Sequence, residues 1–206
     1  VYNQGAGPYF YVDDFQLERG EGPSGVNLVE NGGMRYWDYG WVMEKFSTFD
    51  NTVTMFTKED DHSIRVAGDA YTESCASQEV PIYQTGKTYV LSGWAKANAV
   101  PDNEEKAEGE DAAARDMHKQ FGLRGIVQYA DGSKEYHYVP FSPDVKEWQY
   151  ASLAIVPKKP GSEVKSIRVV CAYERNENTA YFDNISLTQE PAQTMKYDKD
   201  GKLVSV

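Results

Sequence analysis

The chain has 206 residues, enough for one domain with a sizeable core, and its 32 Asp and Glu against 21 Lys and Arg give a formal net charge of −11. This charge argues against a nucleic-acid partner, because contacts with phosphates need clustered Lys and Arg. No apolar run approaches the roughly 18 residues that span a bilayer. The aromatic residues (15 Tyr, 8 Phe and 4 Trp) favour strands over helices.

A heptapeptide near the start of the chain returns near its end. The sequence YVDDFQL at residues 11–17 is matched by YFDNISL at residues 181–187, 170 positions later. Both copies alternate polar and apolar residues, which predicts strands with one buried face. The spacing is far longer than the roughly 20–50 residues of a solenoid repeat. We therefore interpret residues 1–18 as the last strand of a preceding domain of the same kind, in a tandem array; the alternative is a chance resemblance of two short strands.

This N-terminal strand is predicted to be ordered. Residues 9–17 would carry apolar side chains and unpaired backbone N–H and C=O groups, which pair readily with an exposed sheet edge. We expect them to dock on a sheet edge of this domain or of a neighbouring molecule.

The next domain follows a linker at residues 19–25 (RGEGPSG), which is rich in Gly and polar residues. Residues 26–34 are predicted to open the domain with an apolar strand that ends in the turn signal Asn31-Gly32-Gly33. Trp37 and Tyr39 then stand in a loop with three aromatics in five residues, and neither has a strand partner in the pattern. They are predicted to form a platform for a ligand, with burial in the core as the alternative.

Alternating residues and turn signals every 8–15 positions predict about ten short strands. Together they indicate an all-β fold, a two-sheet antiparallel β-sandwich over residues 26–190 with at most one short helix. Trp41, Trp94 and Trp148 are predicted to lie in its core. After the first strand, the predicted strands are residues 46–58, 63–68, 77–82, 88–95, 122–129, 135–140, 147–156, 165–173 and 180–187.

The segment of residues 101–117 is strongly acidic and interrupts the strand pattern. We predict a solvated loop with one or two helical turns near residues 109–118. A metal site is the alternative, but charge runs of this kind usually form solvated surfaces.

The two cysteines, Cys75 and Cys171, lie 96 positions apart and lack the spacing of metal ligands. They could pair in an exported protein. We predict instead two unpaired thiols that pack as small hydrophobic residues.

A predicted hairpin over residues 122–140 turns at an Asp-Gly pair. Its first strand carries Arg124 and Gln128, and its second carries Tyr136 and Tyr138. Residues two apart in a strand share a face, so the two tyrosines are predicted to lie side by side. The four residues form a second candidate binding surface; the alternative for the tyrosines is cross-strand packing.

The ordered landmarks of the chain resemble those of the jelly-roll carbohydrate-binding modules often called galactose-binding-like domains. The resemblance covers about residues 26–190. The matching stretches are NLVENGGM (residues 27–34) followed by Trp41, HSIRV (62–66), SQEVPI (77–82), GKTYVLSGWAKA (86–97), Trp148-Gln149 and YFDNISL (181–187). It implies that a sugar ring would stack on aromatic side chains while amides, carboxylates and Arg bind its hydroxyl groups.

The tail of the chain resembles a different family. Residues 194–206 contain Tyr197-Asp198 and then Gly201-x-Leu203, a hairpin pattern similar to the first unit of the tyrosine–aspartate repeats of bacterial Rhs-type cell-surface and toxin-delivery proteins. We interpret residues 191–206 as the start of such a repeat region. The resemblance implies an extracellular or cell-surface location, with tandem modules ahead of the repeats.

The resembled family often holds a structural calcium ion. Its ligands typically include the Asp of the closing strand, here Asp183, and a Glu just after the Asn-Gly motif, where this chain has Arg35. A guanidinium has no acceptor oxygen and cannot bind calcium. We therefore expect the calcium site to be absent or weak, with Arg35 close to Asp183, and we expect no other cofactor.

Three functions fit these patterns to different degrees. The first is a non-catalytic carbohydrate-binding module that binds a glycan or cell-wall polysaccharide. The second is a ligand-free structural spacer that contacts neighbouring modules. The third, an enzyme, has little support, because His62, His118 and His137 stand apart and no nucleophile or metalloprotease motif is present.

Overall fold

The computed structural model describes residues 26–55, 62–97, 119–159, 161–190, 196–197 and 203–205. Ten strands form two five-stranded sheets, and every pairing within them is antiparallel. No helix occurs in these ranges, so the prediction of an all-β sandwich is confirmed. The expected helical turns near residues 109–118 lie outside the described residues, as do residues 1–25.

The strands alternate between the two sheets along much of the chain. The first sheet has the order β1-β4-β9-β6-β7, and the second has the order β2-β3-β10-β5-β8. The strands are β1 (Val42–Glu44), β2 (Ser47–Asp50), β3 (Ser63–Ala67), β4 (Glu73–Gln84), β5 (Tyr89–Ala97), β6 (Gln120–Tyr129), β7 (Lys134–Pro140), β8 (Gln149–Ile155), β9 (Val164–Glu174) and β10 (Thr179–Gln189).

The core fills the space between the sheets. The ring of Phe121 in β6 lies 6.0 Å, between centroids, from that of Phe182 in β10, and 5.3 Å from that of Phe141, which follows β7. Tyr173 of β9 packs edge-on against Phe121. These aromatic contacts join the first sheet to the second.

The predicted first strand is wrong. Residues 26–28 are irregular, and turns follow at residues 30–33 and 35–40, with Asn31 and Met34 at positive φ. The segment is held to β10 by two backbone hydrogen bonds, in which the N–H of Leu28 donates to the oxygen of Leu187 and the N–H of Ile185 donates to the oxygen of Gly32, and by the side chain of Asn27. The Asn27 amide donates to the backbone oxygen of Ile185 and accepts from the N–H of Leu187. This apolar segment therefore lies beside β10, the last strand of the sandwich, without joining the sheet as a regular strand.

Two of the three tryptophans predicted in the core are only partly buried. Trp41 is buried, as expected. Trp94 is an odd number of positions from the buried Leu91 and Ala95 of β5, so its side chain lies on the outer face of the second sheet. There its ring meets that of Tyr150 at 5.4 Å between centroids. Trp148, just before β8, is also partly exposed.

The cysteines are unpaired, which confirms the prediction. Cys75 and Cys171 lie on the adjacent strands β4 and β9, but on opposite faces of the sheet, because Cys75 lies opposite Ala172 rather than Cys171. Burial raises the pKa of the Cys75 thiol to about 11 and that of the fully buried Cys171 well above its ordinary value.

The tail contains a short antiparallel pair, β11 (Lys196–Tyr197) and β12 (Leu203–Ser205), as its hairpin pattern predicts. Its assignment to a tyrosine–aspartate repeat stays a prediction. Across the described ranges, no helix is long and apolar enough to cross a membrane.

Candidate binding cleft

Strand alternation brings four of the six predicted binding residues to one surface. Arg124 and Gln128 of β6 lie outward, on either side of Ile126, while their neighbours point into the core. In the paired strand β7, Tyr136 and Tyr138 also face outward. These side chains belong to the outer face of the first sheet.

A cleft of about 210 Å³ lies on this face. Its apolar floor is formed by Cys75, Ile126 and Val170, which pack together with the buried Ala172. Three carboxylates and three cations are among the residues that surround this floor. The cleft is lined by Glu44, Lys45, Glu73, Cys75, Arg124, Ile126, Arg168, Val170 and Glu174.

One ion pair is held firmly at the cleft. Arg124 Nη2 lies 2.5 Å from Glu174 Oε1, and Arg124 Nη1 lies 3.3 Å from Glu174 Oε2. Arg124 Nη1 also donates to Gln120 Oε1 at 2.9 Å. The Glu174 side chain is only 7% exposed, so the guanidinium compensates a nearly buried charge.

A second, more exposed ion pair joins Arg168 of β9 to Glu44 of β1. Arg168 Nη2 also donates to the Ser77 hydroxyl at 2.9 Å. Each partner of this pair is 39% exposed, so solvent screens the attraction. Both ion pairs thus line one cleft, but the attraction between the partners is stronger in the nearly buried pair than in the exposed one.

The two tyrosines of β7 lie beside the cleft. Tyr136 pairs across the ladder with Ile126, and Tyr138 pairs with Arg124, so both are one strand away from a lining residue. The Tyr138 ring also covers Gly122, where an added Cβ would lie 2.5 Å from a ring carbon. Partial burial raises the pKa of Tyr138 to about 12, and the negative charge of Glu174 acts in the same direction.

This arrangement suits a ligand with both hydroxyl groups and apolar faces. The floor and the exposed ring of Tyr136 offer apolar contact. Arg124, Arg168 and the carboxylates paired with them offer charge-assisted hydrogen bonds in fixed directions. Gln128 lies two residues beyond Ile126 in β6, and it pairs with Lys134 of β7 and Ser166 of β9.

Trp37 and Tyr39 lie elsewhere. They are 61% and 63% exposed in the turn before β1. Asn31 holds this turn, since its amide nitrogen donates to the backbone oxygen of Trp37 and its amide oxygen accepts from the N–H of Tyr36. The Trp37 ring lies 4.4 Å, between centroids, from that of His62, which precedes β3 of the second sheet. Their exposure agrees with a platform, whose use for binding stays a prediction.

The sequence interpretation missed the cleft residues of β1, β4 and β9. The sequence did indicate part of this set in β9. Arg168, Val170 and Glu174 are an even number of positions apart and therefore lie on the same face of the strand. Strand parity does not show which strands are neighbours, and the ladder between β4 and β9 joins residues about 90 positions apart.

The predicted calcium residue, Asp183, is fully buried. Its Oδ2 accepts the backbone N–H of Met55 at 3.1 Å, and its Oδ1 accepts that of Asn184 at 2.6 Å. Within the described part of the chain, no group of three or more His, Cys, Asp or Glu could hold a metal ion. The absence or weakness of a calcium site and the pairing of Asp183 with Arg35 both stay predictions.

Chelation tests the calcium prediction. We expect EDTA to leave the Tm unchanged in a thermal unfolding experiment, because backbone N–H groups already stabilise the Asp183 carboxylate. A fall of several degrees, reversed by added calcium, would mean that a bound ion stabilises the fold by mass action.

Comparison with known proteins gives distant relatives. No protein-family model matches the sequence. The tRNA nuclease WapA of Bacillus subtilis strain 168 is 25% identical over 206 aligned positions, which cover 95% of this chain and 8% of that protein. The tRNA3(Ser)-specific nuclease WapA of Bacillus spizizenii has the same identity and coverage. The chain thus spans a small part of the curated relatives that it matches.

Solved structures share the fold. A family 16 carbohydrate-binding module has a TM-score of 0.55 and 19% identity, covering 78% of this chain and 99% of that module. The CBM22-1–GH10 modules of Clostridium thermocellum xylanase 10B, complexed with xylohexaose, have a TM-score of 0.51 and 14% identity, covering 81% and 29%. A cyclase from Fischerella sp. TAU has a TM-score of 0.53 and 14% identity, covering 81% and 97%. At these identities the likeness establishes the fold alone.

Proposed function

We propose that this chain is a non-catalytic carbohydrate-binding module of a larger extracellular bacterial protein, and that the cleft on the first sheet is its binding site. The observation that carries the proposal is the cleft itself, in which an apolar floor is surrounded by ion-paired side chains and flanked by two outward tyrosines. The carbohydrate-binding modules among the solved structures of the same fold support it.

The proposed ligand is a glycan or cell-wall polysaccharide. Tyr136 would contact the apolar face of a sugar ring, because its side chain is 64% exposed beside the cleft. Arg124 and Gln128 would bind hydroxyl groups from the neighbouring strand. Because Arg124 is already fixed by Glu174 and Gln120, little side-chain entropy would be lost on binding.

Binding fits the cleft better than glycoside hydrolysis. A glycosidase needs one carboxyl group free to give its proton to the leaving oxygen and a second one across the scissile bond. Glu174 and Glu44 instead accept hydrogen bonds from Arg124 and Arg168, and the third carboxylate of the cleft, Glu73, forms an ion pair with Arg175 at 3.5 Å. We therefore propose that the nuclease activity in the relatives' names belongs to other parts of those proteins, of which this chain matches 8%.

A ligand-free spacer is the second candidate. It is favoured by the same ion pairs, because Arg124 and Arg168 already have carboxylate partners without any ligand. In this case the cleft would be a structural feature of the sheet, and the module would hold neighbouring parts of the chain apart.

The position in a tandem array is also a proposal. Residues 11–17 match β10, in which Asn184 has a positive φ of 48° at a shift of register. The preceding copy has Asp14 at this position, and Asp, like Asn, tolerates the left-handed conformation. This agreement supports a preceding sandwich of the same kind. We further propose that residues 191–206 begin a tyrosine–aspartate repeat region at the cell surface.

A glycan array followed by calorimetry tests the proposed function. We expect a Kd between about 10 μM and 1 mM, because the gain from stacking is partly offset by desolvation of the hydroxyl groups. Replacing both Tyr136 and Tyr138 with Ala should weaken binding at least about tenfold, the loss of roughly one ring contact. Replacing both Trp37 and Tyr39 with Ala serves as the matched control.

Each outcome has a distinct meaning. If the control pair abolishes binding while the β7 pair does not, the platform before β1 is the site and the cleft is not. Absence of any glycan ligand across the array, with the protein folded by circular dichroism, would favour the spacer.

A further inference from the structure

A groove of about 610 Å³ lies at one end of the sandwich, between the ends of strands from both sheets. Its volume is within the range of roughly 300–1,000 Å³ that is usual for ligand pockets. It is lined by the end of β4, the turn that leads to β5, the residue before β9 and the last residue of β10. These side chains are Tyr83, Thr85, Lys87, Glu163 and Gln189, and none of them lines the cleft. We call this the end groove.

Backbone hydrogen bonds fix the segments that form the end groove. The N–H of Ala130, after β6, donates to the oxygen of Glu163 at 3.0 Å. The N–H of Glu190, after β10, donates to the oxygen of Thr88, before β5, at 2.9 Å. The backbone of the groove is therefore in place before any ligand binds, which lowers the entropy cost of binding.

Tyr83 has an unusual backbone conformation at this groove. Its φ is 55°, a region that bulky residues rarely adopt, and it lies where the register of β4 shifts between Pro81 and Gln84. Its side chain is 64% exposed, and it stacks on no other ring of the described residues. Backbone strain of this kind is concentrated at functional sites, and here it accompanies an exposed ring that lines a groove.

The charged side chains of the end groove have no ion-pair partners within the described part of the chain. Lys87 and Glu163 carry opposite charges and line the same groove, yet neither takes part in an ion pair. In the cleft, by contrast, Arg124 and Arg168 are already paired with carboxylates. The ammonium and carboxylate groups of the end groove are thus available to a ligand.

The charges of the end groove favour a neutral ligand. Among the lining residues, one cation, Lys87, balances one carboxylate, Glu163, so a charged ligand would be attracted by one and repelled by the other. A hydroxyl group suits both, because it can accept from an ammonium group and donate to a carboxylate. The exposed ring of Tyr83 suits the apolar face of a sugar.

We propose that the end groove is a second saccharide-binding site, which takes a neutral sugar. The sugar ring packs on Tyr83, and its hydroxyl groups bind Lys87, Glu163 and the amide of Gln189. The inference rests on the proposed function, since it adds a second glycan contact to the same module. Two weak sites on one module raise the overall affinity for a polysaccharide that can reach both.

Titration of a variant that lacks the cleft tyrosines tests the end groove by itself. The neutral oligosaccharides of the glycan array are added to the ¹⁵N-labelled Tyr136→Ala/Tyr138→Ala variant up to about 10 mM, above a Kd of about 1 mM. We expect the amide signals of Thr85, Lys87 and Glu163 to shift and saturate with at least one of them. Oligosaccharides of uronic acids are the charged comparison and should bind more weakly.

Tyr83→Gly removes the ring and keeps the backbone, because glycine adopts a φ of 55° without strain. In the same variant background it should weaken binding to the groove at least about tenfold, the loss of one ring contact, and leave the Tm nearly unchanged. Tyr71→Ala is the matched control, since it removes a tyrosine that is 77% exposed in the turn before β4. It should leave binding unchanged.

The outcomes separate the two sites. Absence of saturable shifts at the end groove with every neutral oligosaccharide, or shifts that survive Tyr83→Gly, would overturn the second site and leave the cleft untouched. Binding of the uronic acids alone would overturn the assignment to a neutral sugar. If the unaltered chain binds glycans at the end groove but not at the cleft, the second site stands and the proposed cleft fails.

Discussion

Replacing Phe182 with alanine is expected to lower the free energy of unfolding by about 3–5 kcal/mol. Phe182 is fully buried in β10, a central strand of the second sheet, and its ring contacts Phe121 and Phe141. Removing it opens a cavity where the two sheets meet. Urea unfolding followed by tryptophan fluorescence measures the loss.

Tyr150→Ala is the matched control, since it removes a ring from the outer face of the same sheet. This side chain is 55% exposed and contacts Trp94. We expect a loss of at most about 1.5 kcal/mol, the size of an aromatic pair. Equal losses for the two variants would contradict the placement of Phe182 at the centre of the core.

Arg124→Ala is expected to destabilise the protein by about 3 kcal/mol, because it leaves the nearly buried carboxylate of Glu174 without its partner. Arg168→Ala is the control, since it breaks an ion pair whose partners are both 39% exposed. There we expect at most about 1 kcal/mol. Chemical denaturation of both variants at pH 7 makes the comparison.

A double variant separates pairing from packing. Arg124→Met combined with Glu174→Leu removes both charges and keeps similar side-chain volumes, so it should be less destabilised than Arg124→Ala. If instead the double variant loses more stability than the single one, the stability comes from other contacts of these side chains, and the assigned ion pair does not explain it.

The alternation of residues along each strand made much of the fold predictable. It placed Arg124 and Gln128 on one face of β6, and Tyr136 and Tyr138 on one face of β7, where the structure has them. Such patterns are local, since side chains two apart point to the same side of a strand.

The same alternation of side chains along a strand corrects the prediction for Trp94. With Leu91 and Ala95 in the core, alternation places Trp94 outside. The prediction takes Trp94 as an aromatic plug of the core without applying this alternation. Residues 26–34 failed for another reason. Their position is set by hydrogen bonds to β10 from the side chain of Asn27 and from the backbone of Leu28 and Gly32. Because β10 lies about 160 positions away, these bonds leave no local pattern in the sequence.

The cleft could be predicted only in part because it joins distant segments. Glu44, Arg168 and Glu174 come from β1 and β9, and their approach to β6 depends on the order of strands in the sheet. That order is fixed by contacts between residues far apart in the chain, which no local pattern records.

Titration of the ¹⁵N-labelled protein with the tightest-binding glycan from the array tests the glycan-binding cleft most directly. We predict that the amide signals of Arg124, Tyr136, Tyr138 and Glu174 shift together and saturate at one Kd, because these residues meet at a single cleft. Shifts confined to the turn around Trp37 and Tyr39, with the signals of β6 and β7 unchanged, would contradict the assignment of the cleft as the binding site.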